Sequence, residues 1–118
     1  MEPVFDRNGR TVGWLKDDVV FGRNTHYRAF IHNGAVFTYQ GSHLGTLDNG
    51  FFRDRFGDAV AFIKGASGGP IPPFPEIPPI PPIPPIPPIA PIPPIPPIPP
   101  IGSLSWSTLS WEQFLSGR

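Results

Sequence analysis

Three arginines and a tyrosine occupy equivalent places in a repeating N-terminal stretch: Arg7, Arg23 and Arg55, with Tyr39 in the fourth place. A guanidinium presents a planar fork of donors that suits carboxylate or phosphate. If the repeats close into a ring, these groups would surround one surface where an anion or a lipid headgroup fits. The competing reading makes them solvated strand ends, paired locally with Asp6 or Asp54, as duplication of one unit would produce. The other reactive side chains point to less. His26, His32 and His43 have no zinc-signature spacing, and the chain has no cysteine, so no metal or other cofactor is expected. Asp17 and Asp18 are adjacent in a predicted turn and shape it. Ser103, Ser105, Ser107 and Ser110 have no histidine near them in sequence. The run Gly65-Ala66-Ser67-Gly68-Gly69 lacks the Lys-Ser/Thr of a phosphate loop and reads as a flexible joint. Nothing here sets up a nucleophile with its base, and the chain is expected not to be an enzyme.

The elements that would carry these residues emerge from self-similarity. Shifted by 32 residues, Val4-Phe5 falls on Val36-Phe37, Gly9 on Gly41, Gly13 on Gly45, and Ala29-Phe30-Ile31 on Ala61-Phe62-Ile63. Shifted by 16, Leu15, Ile31, Leu47 and Ile63 align, as do Gly13, Ala29, Gly45 and Ala61. Turn signals such as Asn8-Gly9, Asn33-Gly34 and Asn49-Gly50 recur about every eight residues, and Asn-Gly supplies the positive φ of tight hairpins. Between them lie short runs rich in Val, Phe, Ile, Trp and Tyr, which suit strands. The pattern predicts an all-β head of eight strands, near 4–7, 10–15, 19–23, 27–31, 35–39, 43–47, 51–55 and 59–63. Four consecutive hairpins would close into a shallow pseudo-four-fold barrel, which removes exposed edges. The Leu15/Ile31/Leu47/Ile63 ring is expected in the core, with the small residues two places earlier on the same face.

These four units, with their repeated small-x-(Leu/Ile)-turn pattern, resemble the four-fold beta-flower family of small bacterial proteins. The proline-rich stretch followed by Ser110-Trp111-Glu112-Gln113-Phe114 is similar to members of that family as well. The resemblance implies the barrel fold. Through the likeness of such folds to lipid-binding tubby-like barrels, it also offers lipid as a partner of the head, an analogy of fold alone.

Nineteen of the 20 prolines lie from Pro70 onward, so the globular part comes from the first 67 or so residues. From Ile71 to Ile101 every third residue is apolar apart from the proline spacers: Ile71, Phe74, Ile77, Ile80, Ile83, Ile86, Ile89, Ile92, Ile95, Ile98 and Ile101. Proline favours polyproline II, a three-residue-per-turn helix, so a period of three lays these side chains along one edge. A straight rod of this length spans about 90 Å, three times the about 30 Å diameter of so small a head. The stripe is therefore expected to lie exposed and to associate with other copies of itself. Two other readings stand beside it. One is a low-complexity spacer without partners. The other is a bend at Ala90, where one proline is missing, which would let the segment double back. At the far end Ser110 and Gln113 fit a capping box, predicting a helical turn over Trp111 to Leu115. Trp106, Trp111 and Phe114 are expected to anchor on a neighbour's head.

The division expected is thus a head at 1–66, a joint at 67–70, a polyproline II rod at 71–101 and a docking segment at 102–118. Nine basic and nine acidic residues balance, which argues against nucleic acid as a partner. Neither a signal peptide nor an apolar stretch fit to span a bilayer as a helix is visible. A cytoplasmic location is the default, with export by a signal-less route left open. The functional expectation is a self-assembling structural protein, forming a filament or bundle through its stripe and aromatic anchor. The alternative is a lipid- or anion-binding head on a stiff spacer.

Overall fold

The computed structural model describes residues 1–81 and 83–117. Eight antiparallel strands follow one another round a closed barrel: β1 (Glu2–Asp6), β2 (Thr11–Lys16), β3 (Val19–Gly22), β4 (Tyr27–His32), β5 (Ala35–Thr38), β6 (His43–Asp48), β7 (Phe51–Arg53) and β8 (Ala59–Phe62). Each expected strand is present, within a residue or two at its ends. The closing β8–β1 pairing is short, with Phe62 opposite Phe5 and Ala61 opposite Asp6.

Two kinds of turn alternate, and each has a local cause. At one end of the barrel, Asp17-Asp18, Asn33-Gly34 and Asn49-Gly50 all hold positive φ, the pairing a two-residue hairpin needs to follow the strand twist. At the other end one left-handed residue recurs every sixteen positions: Gly9, Thr25, Gly41 and Gly57. Asp6 shapes the first of these turns, its carboxylate accepting from the backbone N–H of Asn8 and Arg10. Asp54 does the same for Phe56 and Asp58. The symmetry extends to irregularities. The register slips at Val4/Phe5, Val20/Phe21, Val36/Phe37 and Phe52/Arg53, four equivalent bulges that increase local twist and help so short a sheet curl shut.

The barrel interior differs from the expected layering. Its fully buried ring is Val4, Val20, Val36 and Phe52, and these face Gly13, Ala29, Gly45 and Ala61 across the strand pairs. Leu15, Ile31, Leu47 and Ile63 are only partly buried and pack against this cluster from the side of the two-residue hairpins. The small ring has a second purpose beyond strand convergence. A Cβ on Gly45 would lie 3.0 Å from Phe114 Cε1, and one on Gly13 would lie 3.4 Å from Trp111 Nε1. Those rings belong to α1 (Trp111–Leu115), a single helical turn capped by Ser110 and Gln113 as expected. Trp111, Phe114 and Leu115 are buried members of the main core. The head is therefore not complete by itself: its core is filled by the last residues of the same chain.

The proline-rich segment is the largest departure from expectation. The whole molecule measures 36 × 34 × 21 Å, which no straight 31-residue rod can fit. Instead the segment encircles the barrel. It leaves Gly69 beside Phe51 and Arg53, passes Gly9, follows the β2–β3 and β4–β5 hairpins, and returns past β6 to Gly57. The lengths agree: a contour of about 90 Å closed into a circle has a diameter of about 30 Å. Polyproline is stiff over only several residues, so gentle curvature accumulates over thirty.

Candidate functional site: an apolar rim

The belt turns some of its prolines to the barrel and its isoleucines away from it. Pro70 is buried, and Pro81, Pro84, Pro87 and Pro93 are half-buried against the barrel. Beneath it the outward side of the sheet is aromatic: Phe5, Trp14, Phe21, Phe30, Phe37, Phe51 and Phe62 are all buried. The ten isoleucines and Phe74 point the other way, with exposures from 92 to 100%. The period of three does place them on one edge, and that edge is the outer rim of a disc. Ile77, Ile80, Ile83, Ile86, Ile89, Ile92, Ile95, Ile98 and Ile101 all share it.

Both ends of the belt are tied down. Near its start, the Glu76 carboxylate accepts the Thr11 N–H at 2.7 Å, and the Glu76 N–H donates to the Gly9 carbonyl at 2.7 Å. The first of these bonds, from Thr11, holds the Glu76 carboxyl below its ordinary value, and the charges of Arg23 and Arg10 add to the effect. The two extremities then meet at one side chain. Arg53 is buried, and its guanidinium donates to the Gly68 carbonyl at 3.0 Å, before the belt, and to Ser103 at 2.8 Å, after it. A third bond goes to Gly57 at 2.7 Å, and the guanidinium lies 5.5 Å from the centre of the Phe51 ring. Gly69 and Gly102 lie against it so closely that a Cβ on Gly102 would sit 2.8 Å from Arg53 Cζ. Arg53 is a clasp that closes the belt.

After the clasp the chain is stitched to the fourth turn. Ser105 and Ser107 bracket Ala59 with backbone bonds of 3.0 and 2.7 Å. Ser103 Oγ donates to Asp58 at 2.6 Å, and Ser107 Oγ to the buried Asp54 at 2.5 Å. Trp106 packs on Phe51 and Phe62. Trp106, Trp111 and Phe114, expected to seek a neighbour, are thus all seated on their own barrel.

A family model described as the 4-fold beta flower protein matches residues 2–115. The chain belongs to the 4-fold beta flower family. The match runs through the belt and the helical plug, so the beta flower unit here is head and tail together. Comparisons with curated proteins and with solved structures find no match.

Two of the symmetric arginines reach the tail of the chain. Arg7 donates to the Ser107 carbonyl at 3.1 Å, and Arg55 approaches the Gly117 carbonyl at 3.4 Å. The backbone carbonyl of Arg23 accepts from Trp14 Nε1 at 3.2 Å. Tyr39 packs instead on Tyr27 and Phe30, where burial raises its hydroxyl above the usual value. His43 stacks edge-on against Phe37, and burial pushes its imidazole below the usual value. Among the described residues no His, Cys, Asp or Glu cluster is arranged to hold a metal ion, and no helix is long and apolar enough to cross a membrane. Sequence reasoning missed Arg53 and Arg28. The latter pairs with Glu112 of the plug at 2.9 Å.

Proposed function

We propose that this beta flower is a non-enzymatic structural module that associates with other copies through its isoleucine rim. The observation that carries the reading is the outward set of eleven apolar side chains, each at least 92% exposed, on a segment without a charged residue from 77 to 111. A contiguous apolar surface of this kind marks an interaction site. A closed belt has no straight rod to bundle lengthwise, so contact between copies is rim to rim, with isoleucines of one belt entering the gaps of the next. Two opposite arcs in use give a filament, and more give a sheet.

Magnitudes set the character of this association. Half-covering four isoleucines contributes about 3–6 kcal/mol, which the loss of rigid-body freedom largely offsets. One contact is weak, and several contacts around one rim reinforce each other. The expected behaviour is concentration-dependent growth rather than a tight dimer. Replacing Ile83, Ile86, Ile89 and Ile92 by Ser should remove the large species in analytical ultracentrifugation while leaving the circular dichroism of the head unchanged. A wild-type chain that stays monomeric at high concentration, or assemblies that survive the four substitutions, would overturn the reading. Adding anionic liposomes to the same experiment tests the lipid-binding alternative. That alternative has less support because Arg7 and Arg55 are already committed to carbonyls of the tail.

A further inference from the structure

The belt does not hug the barrel evenly. In the first place after each apolar residue, Pro81, Pro84, Pro87 and Pro93 are half-buried, whereas Ala90, between Pro87 and Pro93 in the series, is exposed, as are Pro75, Pro78, Pro96 and Pro99 towards the two ends. Beneath Ala90 a cleft of about 720 Å³ opens between belt and barrel. The comparable gaps under the flanking stretches hold about 200 and 250 Å³. The cleft coincides with one of the two places where the belt's proline pattern fails, Ala90; at the other, Glu76 is hydrogen-bonded to the barrel. A cleft of this size lies within the range of small-molecule sites.

Its chemistry is one-sided. The barrel wall is Val19, Phe30 and Tyr39, and proline rings form the opposite wall. Tyr27 extends the aromatic side, edge-on to Tyr39 with ring centres 5.2 Å apart. At the edge stand the carboxylates of Asp17 and Asp18, with His32 and Asn33 beside them. Among the described residues neither carboxylate has an ion-pair partner, and no lysine or arginine lines the cleft. The geometry points to a binding site for an organic cation with an aromatic or aliphatic body, its apolar part against Phe30, Tyr39 and the prolines and its ammonium group towards the aspartates. Aromatic faces attract ammonium groups through the ring quadrupole, and two carboxylates at the mouth supply the complementary charge. Neutral aromatic molecules would fit the walls but gain nothing at the edge, and anions would be repelled.

The probe is benzyltrimethylammonium, titrated calorimetrically into the full chain beside benzyl alcohol and benzoate. The cation should bind, and the neutral and anionic analogues should bind more weakly in that order. Two variants locate the site. Asp17→Asn with Asp18→Asn keeps residues that tolerate the left-handed turn and removes both charges. It should weaken the cation by about two- to fivefold per carboxylate, in the range of exposed ion pairs, and leave benzyl alcohol unchanged. Ala90→Pro restores the triplet and should abolish binding of all three, with its thermal melt reporting that the chain still folds. Equal binding of the cation, alcohol and benzoate, or cation binding indifferent to both variants, overturns the assignment.

Discussion

Replacing Arg53 by methionine keeps an apolar stem against Phe51 and removes the clasp. The native guanidinium serves three carbonyls, at Gly57, Ser103 and Gly68. They do not lose equally. The Gly57 carbonyl also accepts the Ser103 N–H at 3.0 Å and keeps that bond. The Gly68 and Ser103 carbonyls lose their arginine partner, and an orphaned buried acceptor costs about 1–3 kcal/mol. Gly68 is exposed and Ser103 half-buried, so water restores part of the loss. The native protein also carries a cost that the variant escapes, because Arg53 Nε is buried without a partner. The balance is a destabilisation of about 2–4 kcal/mol, concentrated on the two ends of the belt. Urea denaturation should show the drop. X-ray scattering on the monomer fraction should show a radius of gyration above the native 13.2 Å as the belt ends come free. The sheet signal in circular dichroism should persist, since no strand pairing depends on the guanidinium. Wild-type stability with an unchanged radius of gyration in Arg53→Met refutes the clasp.

Two further perturbations probe the tail's other attachments. Phe114→Ala empties the middle of the barrel, where the ring stacks on Trp111 with centres 5.8 Å apart, and should cost about 3–5 kcal/mol in thermal or chemical unfolding; an unaltered melt would show that the head needs no plug. Glu76 gives a pH dependence of known sign. Its carboxyl lies below the ordinary 4.5 in the folded chain, chiefly through the Thr11 bond, so its stabilisation is fully present above 4.5 and disappears as pH falls through the lowered folded value. The Thr11 amide resonance should titrate with a midpoint under 4.5 and lose that step in Glu76→Gln, and a midpoint at or above 4.5 contradicts the anchor.

Local chemistry made most of the head legible. Turn residues with positive φ, short β-rich runs and a sixteen-residue repeat are properties of neighbouring residues, and they placed eight strands and the Ser110 cap. The belt was legible as a stripe but not as a path. A period of three says that Ile77 and Ile80 share an edge; it does not say which edge meets the barrel. That choice was settled by the outward aromatic face of the sheet, Trp14, Phe21, Phe30 and their neighbours, which needs covering and which flat proline rings cover without presenting an N–H to satisfy. The tail's destination was misjudged for a related reason. A straight rod carries Trp111 far from its own head, whereas a closed circle returns it to its starting point.

The most informative signal lay where the repeat fails. Of the candidates chosen for obeying the symmetry, Arg7 and Arg55 donate to carbonyls of the tail. Two arginines that violate it reach the tail. Position 5 of the unit reads Phe5, Phe21, Phe37 and then Arg53; position 12 reads Val12, then Arg28, then Leu44 and Val60. A duplicated unit has no internal reason to exchange an apolar residue for a cation at one place of four, because the three sister sites face the same neighbours. The reason has to come from something that is not repeated, and the only unrepeated part of the chain is its tail. Arg53 grips both ends of the belt, and Arg28 holds Glu112 on the plug. Ala90 obeys the same logic inside the belt, where a broken triplet coincides with the widest gap. In a chain built by repetition, each departure from the repeat marks a contact, or a space, that the repeat itself does not supply.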